Sequence, residues 1–226
     1  MILARRWGPD TEVYAALGLG RSYGQYHRLG VRGLPAILDC GLWSAVAAAP
    51  RVGTVGLITD VGNDILYGSA PDRILEWVAE AATRLSQYTS TITITGLPVA
   101  NAAAIPEWQF RIIRALMFPS SGQTLARVRE HTVIVQAGLQ QLAAARGYRF
   151  VPVDAEWYGI DPVHFTHGYW RRAWGEFLGV DPRLWALPPE PMSTFRHARQ
   201  WLRADEHRWL FGLHQHTPQH GRVRLY

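Results

Sequence analysis

The chain has 226 residues, 48% of them hydrophobic, enough for a substantial core, and a formal charge of +5 in which all 23 basic residues are arginine. No apolar run reaches bilayer-spanning length, and the start "MILARRWGPD" has two arginines but neither the apolar core nor the small-residue cleavage site of a secretory signal. Cys40 is the only cysteine, which excludes an intrachain disulfide and a cysteine zinc cluster and fits a cytoplasmic location.

Glu12 to Leu17 ("EVYAAL") reads as a first strand, and it runs into "GLGRSYG". Gly20 and Gly24 around Ser22 permit a tight strand-to-helix turn, the device by which several hydrolases expose a serine hydroxyl. Pro35 to Gly41 ("PAILDCG") reads as a second strand, followed by a small-residue helix in "LWSAVAAAP". Val55 to Gly62 ("VGLITDVG") is continuously apolar before a turn signal, as a buried strand is. A helix follows, with Ser69 and Pro71 at its start and Ile74, Leu75, Val78, Ala81, Ala82 and Leu85 on one face. Ser90 to Pro98 ("STITITGLP") is the fourth strand, stopped by Gly96 and Pro98. A long connection containing "EWQFRIIRALMFPS" leads to a second long helix from near Ser121, with Leu125, Val128, Val135, Leu139 and Leu142 as its stripe and Gly147 as its cap. Tyr148 to Asp154 is the fifth strand. Beyond it, the proline-rich "WALPPEPMS" reads as a strap into a final helical segment from Thr194 to Leu210.

Five strands separated by helices predict an α/β fold with a mostly parallel five-stranded sheet covered on both faces. Residues 1–178 would form this domain, and 179–226, rich in Pro, Arg and Trp, an extension packed on it. From Asp181 to Tyr226 seven Arg stand against two Asp and two Glu, a local balance of +3 that suits amphipathic cover. Elsewhere the arginines are scattered, not clustered on one face, which argues against a nucleic-acid partner.

Open parallel sheets place their sites at the carboxyl ends of strands. The residues there are Gly20-Arg21-Ser22, Cys40-Gly41, Gly62-Asn63-Asp64, Pro98 to Asn101, and the segment beyond Asp154, "YGIDPVHFTHGYW". A serine nucleophile requires a base, and the base requires a carboxylate to orient it. Ser22, His164 and Asp161 are of the types that fill those three roles. The backbone N–H groups of Ser22 and Gly41 and the Asn63 amide are the corresponding oxyanion donors. His167 competes with His164 for the base, and Asp154 is the reserve acid. Asp60 and Asp64 flank Asn63 as turn residues, and His27 reads as a surface or rim residue. Tyr23, Tyr26, Trp43, Tyr67, Trp157, Tyr158 and Phe165 border this predicted site, mostly as packing.

Gly20-Xaa-Ser22, Gly41, Gly62-Asn63-Asp64 and Asp161-Xaa-Xaa-His164, in that order over about residues 11 to 175, resemble the SGNH hydrolase superfamily, also called the GDSL esterase/lipase family. The resemblance implies a flavodoxin-like three-layer α/β/α sandwich and a serine hydrolase that cleaves carboxyl esters, thioesters or acetylated sugars through an acyl-enzyme. Ser22 would be nucleophile, His164 base, Asp161 its orienting acid, and Ser22, Gly41 and Asn63 the oxyanion hole, with no cofactor and no metal. Arg21 stands where the family carries an aspartate, replacing an acceptor by a permanent cation. It would either turn its charge toward the site or weaken it. The alternative reading is therefore a catalytically weakened protein of this type that binds an acyl or glycan ligand. The pattern "GLGRSYG" lacks the spacing of a dinucleotide loop, since its third glycine comes one place late. The histidines form no spaced pair on a helix face, apart from the tail cluster of His214 and His216.

Overall fold

The structure, a computed structural model, describes residues 6–18, 20–29, 31–50, 53–119, 121–159, 165–166, 168–185 and 205–226. In chain order the strands are β1 (Val13–Ala15), β2 (His27–Leu29), β3 (Arg32–Leu34), β4 (Gly56–Ile58), β5 (Ile92–Thr95), β6 (Arg149–Val151), β7 (His207–Leu210), β8 (Leu213–His216) and β9 (Val223–Leu225). The α-helices are α1 (Leu42–Ala48), α2 (Asn63–Leu66), α3 (Pro71–Ser86), α4 (Val99–Ala104), α5 (Glu107–Met117), α6 (Leu125–Arg146), α7 (Trp170–Phe177) and α8 (Pro182–Trp185). Among the described residues no helix is long and apolar enough to cross a membrane.

The expected single five-stranded parallel sheet is not what forms. The strands divide into a two-stranded parallel sheet β1-β9, a four-stranded antiparallel sheet β2-β3-β7-β8 and a three-stranded parallel sheet β4-β5-β6. The flavodoxin-like sandwich that the resemblance implied falls with it. Two of the five expected strands are missing from the parallel sheet, each for a physical reason. β1 is taken by β9, with Val13 opposite Val223 and Ala15 opposite Leu225. The segment Pro35 to Gly41 becomes a 3-10 turn over Ile37–Asp39. Its carbonyls are claimed by side chains: Pro35 O by Arg21 Nε (3.1 Å), Ile37 O by Trp43 Nε1 (2.8 Å) and Leu38 O by an Arg84 guanidinium nitrogen (2.6 Å). No acceptor row is left for a neighbouring strand.

The remaining three strands are the ones whose patterns were most apolar or β-branched. In β5 the isoleucines of "ITIT" point to one face and the threonines to the other, and all four residues are buried. Ile58, Ile94 and Phe150 share the first face, where α3 and α6 supply Ile74, Val78, Val135 and Leu139. Leu57 and Val151 lie on the second face with Trp157, Ala173 and Phe177, so this parallel sheet is covered on both sides. The two helices approach closely because position 138 is glycine; a Cβ there would lie 2.3 Å from Leu75 Cδ1.

Both long helices form close to where their patterns place them. Pro71 takes the first helical position of α3, although Ser69 is not its cap and instead accepts from Gln25 Nε2 (2.8 Å). Thr124 caps α6 by accepting from Arg127 N, and Gly147 ends it at φ 67°. The long connection before α6 contains α4 and α5. Of the expected terminal helix, residues 194–204 lie outside the described residues, and His207–Leu210 is a strand. It turns back through Phe211 and Gly212, both at positive φ (52° and 81°), the type I′ geometry that matches hairpin twist.

Candidate functional site

The carboxyl ends of β4, β5 and β6 open onto a cavity of about 110 Å³. Its floor comes from Thr59, Asp60, Thr95 and Gly96, which follow or end the strands, and its walls from apolar side chains of α5, α6 and the segment after β6. Phe110, Phe118, Leu125 and Val128 line one side, and Tyr158 and Phe165 the other. Those last two are joined by an antiparallel bridge and a ring contact at 4.9 Å. Asn63, at the first position of α2, brings an amide to this largely apolar wall, to which α5 and α6 also contribute Arg114 and Thr132.

Behind Asn63 lies Ser22. The loop holding it is shaped by Gly20, at φ 67°, whose carbonyl accepts from the Tyr67 hydroxyl (2.8 Å). Gly24 is glycine for a different reason from the turn geometry first expected: a Cβ there would lie 1.9 Å from the Trp77 ring. Ser22 is fully buried, and its hydroxyl donates to Asp64 Oδ1. Ser22 Oγ in turn accepts the backbone N–H groups of Gly24 (3.2 Å) and Gln25 (3.1 Å), while Asp64 Oδ2 accepts from Tyr23 N (2.9 Å). Asp64 is itself fully buried. Burial pushes its carboxyl up from the ordinary value, against the opposing pull of hydrogen bonds from Ser22, the Tyr23 backbone and Gln25.

Asn63 Nδ2 donates to Arg21 O and to Asp60 O, both at 3.3 Å, so Asn63 and Ser22 belong to one hydrogen-bonded unit. Asp60 holds its carbonyl there in a left-handed backbone conformation, φ 59°, which aspartate tolerates better than most residues. Tyr23, between the two, is buried with its hydroxyl donating to Thr59 O (2.7 Å).

Gly41 is placed elsewhere. A Cβ at this position would lie 1.9 Å from Glu206 Oε2 and 3.3 Å from the Tyr226 ring, so its small size makes room for the C-terminal segment. Gly41 does not line the cavity, and neither does Ser22. Arg21 turns its guanidinium away from the cavity: Nε donates to Pro35 O, and one terminal nitrogen to Leu17 O (2.9 Å) and Tyr226 O. Burial lowers its affinity for the proton. Arg21 is thus a clamp between chain segments rather than a charge at the site.

Asp161, His164 and the rival His167 lie outside the described residues. Tyr158 and Phe165 both line the cavity, while Gly159, the described residue next to this segment, does not. Asp154, the reserve acid, is exposed and caps the turn Ala155–Trp157 by accepting from Glu156 N (3.1 Å). His27 is buried against Tyr67 instead of lying on the rim. Tyr26 packs edge-on to Trp209, and Trp157 is core.

Two features escaped the sequence reading. Asp64, taken as a turn residue, is the hydrogen-bond partner of Ser22, which its place beside Asn63 in "GND" could have signalled. The wall from α5 lies in a stretch that reads as a connection, although Pro106 before Glu107 and the pair Phe110 and Ile113 on one face signal a helix there. No protein-family model, curated protein or solved structure matches this chain significantly.

Proposed function

We propose that the chain is a serine hydrolase that cleaves esters with a small apolar acyl group through an acyl-enzyme. The observation that carries this reading is the apolar cavity at the carboxyl ends of parallel strands, with the Asn63 amide on its wall and Ser22 hydrogen-bonded into the same unit. An apolar cavity of about 150 Å³ takes benzene. A cavity of about 110 Å³ therefore suits an acyl group of a few carbons.

In this reading Ser22 Oγ attacks the ester carbonyl carbon while His164, oriented by Asp161, takes the hydroxyl proton. The Asn63 amide and the Ser22 backbone N–H receive the developing oxyanion; Gly41, which packs against Glu206, takes no part. Collapse breaks the bond to the alcohol, which leaves with the proton from His164. Water, deprotonated by the same histidine, then attacks the acyl-enzyme and frees the carboxylic acid. The step requires the Ser22 hydroxyl to exchange Asp64 for the base and to reach the cavity.

The full burial of Ser22 and its bond to Asp64 favour a second reading, in which the cavity binds an acyl group without turnover. The two are separated by fluorophosphonate labelling of the full chain, wild type beside Ser22→Ala and His164→Ala, with circular dichroism to establish folding. Labelling of wild type that disappears in both variants supports hydrolysis. A folded wild type that stays unlabelled overturns it, and saturable binding of a short-chain fatty acid by that protein supports the second reading.

A further inference from the structure

The C-terminal hairpin carries a concentration of ligating side chains that the Ser22 site does not use. In the register of β7 and β8, His207 lies directly opposite His216, and Trp209 opposite His214. Residues two apart on a strand share a face, so the three histidines stand together on one face of the hairpin. The His207 and His216 rings stack with centroids 4.7 Å apart, and those of His207 and His214 at 5.2 Å. Glu206, immediately before β7, brings its Oε2 to 3.9 Å from His207 Nε2. One ligand atom each from Glu206, His207 and His216 all lie within 4.8 Å of one another.

We propose that Glu206, His207 and His216 form a binding site for a divalent transition metal of the zinc class. Two ligands at 2.0–2.1 Å from a tetrahedral ion stand roughly 3.4 Å apart, so closure asks of these side chains shifts on the order of 1 Å and a rotation of the exposed His216 ring out of its stack on His207, so that both in-plane nitrogens face the ion. Imidazole and carboxylate together suit zinc, copper or nickel, whereas magnesium and calcium prefer all-oxygen shells.

Three further features support the assignment. His207 Nδ1 lies 3.1 Å from His214 Nε2, a contact that holds the ring with Nε2 directed at Glu206. Fixing the second nitrogen of a ligating histidine is how proteins set its tautomer and orientation. The backbone around the ligands is tied down, since Glu206 N donates to Leu225 O and Thr217 N to Glu206 O, both at 2.8 Å. Gly41 leaves the space that the Glu206 carboxylate occupies. Glu206 and His207 are half-buried and His216 is exposed, so three protein ligands stand on a site that solvent reaches. A fourth position for water or an exogenous ligand completes such a shell.

The test is isothermal titration of the full chain with Zn²⁺, followed by Co²⁺ absorption to report coordination geometry. One site per chain with micromolar or tighter affinity is expected. His207→Ala, His216→Ala and Glu206→Gln should each weaken it by tenfold or more, while His220→Ala, outside the cluster, leaves it unchanged. Gly41→Ala, which drives a Cβ into Glu206, should also weaken it. Unfolding midpoints of the metal-free variants separate loss of a ligand from loss of the fold. Absence of binding at micromolar Zn²⁺, or binding that all three ligand variants retain, overturns the proposal.

Discussion

Ser22 Oγ serves one acceptor and two donors at once, and its substitution therefore tests stability as well as activity. In Ser22→Ala the N–H groups of Gly24 and Gln25 and the Asp64 carboxyl lose their partner in a buried site, a loss of about 1–3 kcal/mol. Urea unfolding of the variant should show it, with the unfolding slope unchanged. Asn63→Ala, if the amide serves the oxyanion, should lower ester turnover by roughly two orders of magnitude or more. Near-wild-type turnover would leave Asn63 with only its two carbonyl contacts to explain it. Asp64 predicts a pH effect of definite sign. Its carboxyl is raised in the folded chain, so between the ordinary and the raised value the native state holds a proton that the unfolded state has released. That contribution to stability is present at low pH and is lost as pH rises through the window. Asp64→Asn should remove this component, read as a flatter dependence of the urea midpoint on pH.

At the scale of elements, α3 and α6 were legible because periodicity, capping residues and length agreed. Leu139 sits on the stripe of α6 with no exposure, and Leu139→Ala should cost about 2–5 kcal/mol. Gly147→Ala tests the cap separately. Nothing lies within 4 Å of a Cβ there, so the expected loss of roughly 1 kcal/mol comes from the left-handed backbone alone. "PAILDCG" fails as a strand because apolar content does not say where carbonyls find donors. Arg21, Trp43 and Arg84 take them from positions far apart in sequence. "HRWL" is a strand and not the end of a helix because it pairs with "LHQH" across a two-residue turn, a partner that its own periodicity does not reveal.

At the scale of the molecule, residues 205–226 are woven into the N-terminal segments: β9 pairs with β1, β7 with β3, and Arg32 forms an ion pair with the buried Asp205. Arg21 is a further tie, reaching Leu17 O, Pro35 O and Tyr226 O from a buried position. Arg21→Ala should destabilise by about 1–3 kcal/mol, because it leaves carbonyl oxygens in a buried site without their charged donor. Arg21→Asp should be worse and should not raise activity, since it aims a carboxylate at three carbonyl oxygens. Thermal unfolding of both variants reads this out. The sequence by itself determined the two long helices, the three strands of the parallel sheet and the order of Ser22, Asn63 and Asp64, because these rest on local periodicity and turn chemistry. Only the tertiary structure decided that the first strand joins the last, that Arg21 is a clamp and that Ser22 bonds to Asp64. It alone also decided that Gly41 faces Glu206. Each of these is a contact between distant segments, fixed by which buried donors and acceptors remain unpaired once the local elements have formed.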